Sequence, residues 1–244
     1  MSGPASKLDR ALQAMGDLPA PPPSAALEAI VSTAAPVARR RPGRTLAWVV
    51  VGSLAVLVVH LHGFGLRRDL SALPTWWFWS MAAAWLAAYL TPLVVALLPR
   101  RGSMLVSARA ARAVAVGIPI LGIAMTLWLR IDAPPATVIP DTVHAAISRA
   151  EWCLVTGLEM SAIPFALGIL ALRRAPQPLN VRWIGAALGA ASGTLSALML
   201  HAHCWFGGAF HTAVSHAGQA VLGAAIGALL VPRLMSRNPG APDA

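Results

Sequence analysis

Mostly apolar stretches of about twenty residues recur six times along the chain, at roughly 45–62, 76–98, 111–130, 151–172, 183–206 and 211–234. A helix of about 20 residues, rising 1.5 Å per residue, is what the hydrocarbon core of a bilayer demands. The pattern therefore predicts an all-α polytopic membrane protein whose six transmembrane helices fill residues 45–237. A polar, proline-containing segment, 1–44, precedes the spans, and a short tail, 238–244, follows them. The leading segment is too long and too weakly basic at its start for a cleaved signal peptide, so it is expected to be retained.

Residues 1–44 divide at Pro19-Ala20-Pro21-Pro22-Pro23, a stiff extended linker. On one side, Leu8, Leu12 and Met15 fall at helical spacing within 6–16, with Lys7, Asp9, Arg10 and Gln13 elsewhere. On the other, Ser24 is a candidate N-cap for a helix over 24–38 whose apolar face is Leu27, Ile30 and Val31. Isolated helices shorter than about 12–15 residues are marginal in water. These two faces want a partner, the membrane surface and disorder being the alternatives.

Composition strengthens the membrane reading. Apolar residues make up 57 % and charged residues 11 % of the 244, where a soluble domain carries about a quarter charged. The formal charge of +10 would suggest nucleic acid if it formed one patch, but it is divided by loop. One side holds Lys7, Arg10, Arg39, Arg40, Arg41, Arg44, Arg100, Arg101, Arg109, Arg112, Arg173, Arg174, Arg182, Arg233 and Arg237; the other holds Arg67, Arg68, Arg130 and Arg149. Basic residues accumulate on the cytoplasmic side, so both termini are expected there. The basicity then reads as topology and attraction to anionic membrane lipid, with no direct nucleic-acid partner. Trp76, Trp77, Phe78, Trp79 and Trp85 fit an aromatic belt at the outer interface.

Within the spans, Gly185, Gly189 and Gly193 step by four, continued by Ala197 and His201, and Gly223 and Gly227 repeat the spacing in the last span. Such rows let two backbones approach, which predicts a tight helix contact and no chemistry. Pro92, Pro119 and Pro164 lie inside spans, where each can bend its helix. Glu159 is the one acid inside a span. Since an ionised carboxylate at that depth costs several kcal/mol, it must be neutral, paired or facing a wet interior.

All seven histidines, His60, His62, His144, His201, His203, His211 and His216, fall in the outer loops or outer helix ends, as do Cys153 and Cys204. The run from His201 to His211 is the densest ligand cluster. Imidazole and thiolate bind metals, and thiolate is also redox-reactive. His201, His203, His211 and His216 are thus candidate ligands for a possible metal ion, and Cys153 and Cys204, at one depth, a candidate redox pair. Histidines bonded to loops and lipid head groups are the plainer alternative. On a regular helix His201 and Cys204 share a face and His203 points away, while His211 and His216 need a break near the start of the last span to converge.

There is no H-E-x-x-H, no phosphate-binding Gly-Lys-Ser/Thr loop, no nucleophile elbow and no intramembrane carboxylate pair, so no enzyme is expected. Several landmarks together resemble the NrsF-type family of integral-membrane anti-sigma factors. They are Gly65-Leu66-Arg67-Arg68-Asp69-Leu70 after the first span, Cys153 at the start of the fourth, Arg173-Arg174-Ala175-Pro176 before the fifth, the glycine-stepped fifth span ending in His203-Cys204, and Gly223 and Gly227 in the last. The resemblance implies that, in the inner membrane of a bacterium, a cytoplasmic N-terminal segment holds an extracytoplasmic-function sigma factor until an envelope or oxidative signal arrives; the extra histidines of this chain add a metal signal to the candidates. It implies sensing roles for Cys153 and Cys204 and places the sigma-holding surface in 1–44. The main alternative is a transporter for a metal ion or small solute, with the outer histidines receiving the ion and Glu159 on its path. A haem- or quinone-linked oxidoreductase is disfavoured because histidine pairs deep in facing helices are missing.

Overall fold

The computed structural model describes residues 41–98, 106–128, 143–174, 180–206 and 208–236, the side chains of 143–149 excepted. The two N-terminal helix candidates, 6–16 and 24–38, the tail 238–244 and the side chain of His144 lie outside the described residues. The helices are α1 (Pro42–Phe64), α2 (Thr75–Leu97), α3 (Ala108–Trp128), α4 (Val143–Arg173), α5 (Val181–His203) and α6 (Ala209–Ser236), with a short 3-10 turn at Leu70–Ala72. Six of them are long and apolar enough to cross a membrane, and the described residues contain no strand. The predicted spans thus correspond one to one with helices. The fourth begins eight residues earlier than the sequence pattern suggests, and the fifth stops three residues sooner, at His203.

Helix α5 is the axis of the bundle and touches each of the other five. From Ile184 to Ala202 every residue is buried; 94 % of its apolar window is inside the protein, against 11 % for α1. A helix with no lipid-facing side can be surrounded only if its side chains are small, and α5 is built largely from Gly, Ala and Ser. Its closest neighbour is the antiparallel α6. A Cβ added at Gly189 would strike the carbonyl of Gly223, one at Gly185 the carbonyl of Gly227, and one at Gly193 the carbonyl of Gln219. The converse holds for Gly223 and Gly227, which face the carbonyls of Gly189 and Gly185. The two backbones are therefore in direct contact along three helical turns. Large side chains fill the next layer: Trp85, Tyr89, Leu93 and Leu97 of α2 are buried, and Trp85 lies against Gly122 of α3.

Pro92, Pro119 and Pro164 sit within continuous helices, as does Pro232. Each removes one backbone donor from its helix without ending it. Helix α6 departs from regularity once, where Ala213–Ala217 form a π-helical turn. At the basic end, Arg173 at the close of α4 donates to the Leu234 carbonyl of α6 (3.1 Å), and the Arg112 guanidinium lies 5.2 Å from the Trp183 ring.

The glycine contact yields a stability prediction. Overpacking usually costs about 1–3 kcal/mol, and here the obstacle is backbone, which cannot move aside as a side chain would. Gly189→Leu should lower Tm in detergent by about 2–4 °C for every kcal/mol lost, several degrees at least. Gly117→Ala, where nothing lies within 4 Å of the added methyl, should leave the melting curve in place.

Candidate functional site

The last carbonyls of a helix have no partners within it, and at the end of α5 the loop after α1 supplies them. Gly65 ends α1 with φ of 79°, a left-handed conformation that a side chain would strain, and its N–H donates to the Leu61 carbonyl at 2.9 Å. The chain then turns across α5. The Arg67 N–H donates to the Ala202 carbonyl (2.9 Å) and its guanidinium to the His201 carbonyl (3.3 Å). The same guanidinium grips the Asp69 carboxylate twice, at 2.6 and 2.8 Å, and both side chains are buried. A cation at a helix C-terminus complements its dipole, and Asp69 neutralises that cation in its dry setting.

Two histidines complete the clamp. His201 Nε2 lies 3.1 Å from the Phe78 carbonyl of α2, and its ring stacks on Phe78. His203 Nδ1 lies 2.9 Å from the Gly65 carbonyl. Both are held by backbone carbonyls of neighbouring segments, and neither belongs to the group of ligand atoms that the two cysteines form. Helix α5 is capped by Cys204, whose N–H still donates to the Leu200 carbonyl (2.7 Å) and whose own backbone is extended.

Cys204 meets Cys153 of α4 and His211 of α6. The two sulfurs are 3.8 Å apart, His211 Nε2 is 3.6 Å from Cys204 Sγ and 3.8 Å from Cys153 Sγ, and both thiols are free. These three atoms form a group able to hold a metal ion. His216 joins through the π turn. Hydrogen bonds from i to i+5 widen the helix locally, which brings residues five apart onto one side, and the His211 and His216 rings meet edge to face at 6.1 Å. His211 Nδ1 and His216 Nε2 are buried and find no hydrogen-bond partner among the described residues. Gln219, one turn on, donates to the carbonyls of Cys153 and Leu154 at 3.1 Å each and thereby ties α4 to α6; Gly157 leaves the space its amide fills.

Of the sequence-predicted residues, the structure joins Cys153, Cys204 and His211 in one group of ligand atoms, with His216 adjacent, and leaves His201 and His203 outside that group. Glu159 is exposed on the outer surface of the bundle. Arg67, Asp69 and Gln219 were not predicted as site residues. The sequence signal for them was an aspartate directly after two arginines in a short turn between apolar spans, and an amide in an apolar span.

The cluster fits two chemistries. Zinc–thiolate bonds of about 2.3 Å in tetrahedral geometry set two sulfurs about 3.8 Å apart, and thiolate with imidazole suits soft or borderline ions. The same pair is one short movement from a disulfide, whose S–S length is about 2.05 Å. The Cys153 thiol and burial push the Cys204 thiol above its ordinary value, while His211 and His216 pull the other way.

Two predictions come from this geometry. Asp69→Asn leaves the Arg67 charge buried without its counter-ion, a class of change that costs about 3–5 kcal/mol; the variant should melt well below wild type, and Arg67→Met with Asp69→Leu should recover most of the loss. Second, a raised value keeps the Cys204 thiol protonated to higher pH. Its maleimide labelling, followed by peptide mass spectrometry, should rise with a midpoint above the usual thiol value of about 8.5, and His211→Ala should move that midpoint higher still.

The sequence profile of the family described as NrsF, negative regulator of sigma F, matches residues 30–236. No curated protein and no solved structure matches the chain. The family match spans all six helices, both cysteines and the Arg67–Asp69 turn. A membrane-spanning bundle with that match, regulatory rather than catalytic in kind, makes this chain a member of the NrsF family, the negative regulators of sigma F.

Proposed function

We propose that the protein holds an extracytoplasmic-function sigma factor at the bacterial inner membrane through residues 1–44 and releases it when the Cys153–Cys204–His211 cluster changes state. The observation that carries this reading is the convergence of two thiols and an imidazole from three separate helices at the end of the bundle away from most of the arginines. Helices α4, α5 and α6 each run from that cluster to the basic end, where Arg173 binds the Leu234 carbonyl. A change at the cluster therefore bears on three helices whose other ends face the cytoplasm in this topology. Because α5 and α6 touch through their backbones, repacking between discrete arrangements is favoured over smooth bending. Release then requires the two cluster states to differ in affinity for the bound sigma factor, about 1.4 kcal/mol for each tenfold.

Thiol oxidation is the first reading of the signal. Capture of a thiophilic metal ion is the second, favoured by His211 within reach of both sulfurs and by the unpartnered His216 nitrogen. The transporter reading loses its intramembrane carboxyl, since Glu159 faces outward from the bundle.

On the inner side, Leu8, Leu12, Met15, Leu27, Ile30 and Val31 are the expected anchors, folding on the sigma factor because the segment is too short for a core of its own. Leu8→Asp with Leu12→Asp should release the sigma factor constitutively while the protein still inserts; continued repression in a reporter strain would remove these anchors. Fusions at Gly102 and Gly240 should read as cytoplasmic and at Ala136 as external, and a reversal at any of them would overturn the topology. Replacing Cys153 and Cys204 with Ser should keep the sigma factor bound and abolish induction. His211→Ala separates the two signals: it should abolish induction by a metal ion and leave induction by thiol oxidants.

A further inference from the structure

We infer that the cleft beside the two cysteines is a binding site for a small, planar, lipid-soluble quinone, which oxidises the Cys153–Cys204 pair. The inference rests on the redox reading above and names its oxidant. The cleft holds about 190 Å³ and is walled by four aromatic rings, Phe64 from the end of α1, Trp152 from α4, and Trp205 and Phe206 from the turn after α5, with Cys153, Cys204 and Thr156 also in its lining. That volume is below the ~300–1,000 Å³ of sites for drug-sized ligands, so it takes one compact ring system. Its surface is overwhelmingly apolar, which disfavours peroxide, hypochlorite or a hydrated metal ion as the species that accumulates there.

The route in is from the bilayer. Phe64 and Trp152 are 59 % and 79 % exposed at the bundle surface, on the face that the six-span topology turns toward lipid. Of the two thiols, Cys153 is the partly exposed one and Cys204 the buried one, so a ligand in the cleft meets Cys153 first. Rings between indole and phenyl walls stack offset or edge to face, and an electron-poor quinone complements electron-rich indole. Few polar groups are near: besides the thiols, Thr156 and the His203 ring line the cleft, and the Arg68 guanidinium sits 6.0 Å from the Trp205 ring.

The stoichiometry fits a pair of thiols in contact. The two S–H bonds break, one S–S bond forms, and the two electrons and two protons pass to the quinone, which leaves as hydroquinone. No other reactant is needed. A sulfur pair already 3.8 Å apart lets the second thiol intercept the first before a lasting adduct accumulates.

The test uses the full chain in lipid nanodiscs with menadione as probe. In the Cys153→Ser, Cys204→Ser protein, menadione should quench tryptophan fluorescence saturably. Thr156→Phe, which fills the cleft, and Trp152→Leu, an exposed wall residue whose loss does not threaten the fold, should each weaken that quenching at least tenfold. With the cysteines present, menadione should yield one disulfide and one menadiol per protein, at least tenfold faster than in either cleft variant. Non-saturable quenching, or oxidation at the wild-type rate in both variants, would overturn the cleft as a quinone site, a lipid chain being its occupant. Saturable quenching without disulfide would overturn the oxidation step and, with it, the redox reading of the cysteines.

Discussion

Backbone contact between α5 and α6 is the constraint from which the remaining architecture follows. Once Gly189 lies against the Gly223 carbonyl and Gly185 against that of Gly227, the two helices have one register and almost no freedom to slide. Four other helices then surround α5, and the smallness of its side chains decides how near they come. The larger residues of the protein lie outward, on α2 above all, where Trp85 and Tyr89 fill the space that α5 leaves. In lipid there is no hydrophobic drive to bring apolar helices together, so fit at these glycines is what holds the bundle.

At the cysteine end, polar interactions do what glycine does at mid-depth. Arg67 closes the carbonyls of α5, Asp69 neutralises Arg67, His201 and His203 bind carbonyls of α2 and the turn after α1, and Gln219 ties α6 to α4. These bonds fix where α5 stops and therefore where Cys204 emerges. The thiol cluster sits directly on that termination: Cys204 is the last residue bonded into α5, through the Leu200 carbonyl, and His211 follows after a short turn.

Much of this was legible in the sequence. Hydropathy located six helices, and the four-residue glycine steps named the tight interface, because both signals are periodic and local. The cluster was legible in part. Cys153 and Cys204 shared a depth, which the spans alone supply, and the need for a break between His211 and His216 was visible from their spacing; the π turn is that break. The exclusion of His201 and His203 was not visible, since it depends on carbonyls of Phe78 and Gly65, more than a hundred residues away. Nor could hydropathy say which way Glu159 faces, because rotation about a helix axis is set by neighbours that a single span does not encode.

The enclosure of α5 also bears on how the protein is made. Helices emerge from the ribosome in chain order, so four spans are in the membrane before their common axis arrives. Those four cannot adopt their final arrangement around an absent centre. Helix α5 is also the least hydrophobic of the six, with a mean hydropathy of 1.5 against 2.0 for α1, and spans of lower hydrophobicity insert less readily on their own. Its natural companion, α6, comes off the ribosome directly behind it, joined by only a few residues. The bundle can therefore close only when this late hairpin, α5 with α6, supplies the centre that the four earlier helices lack.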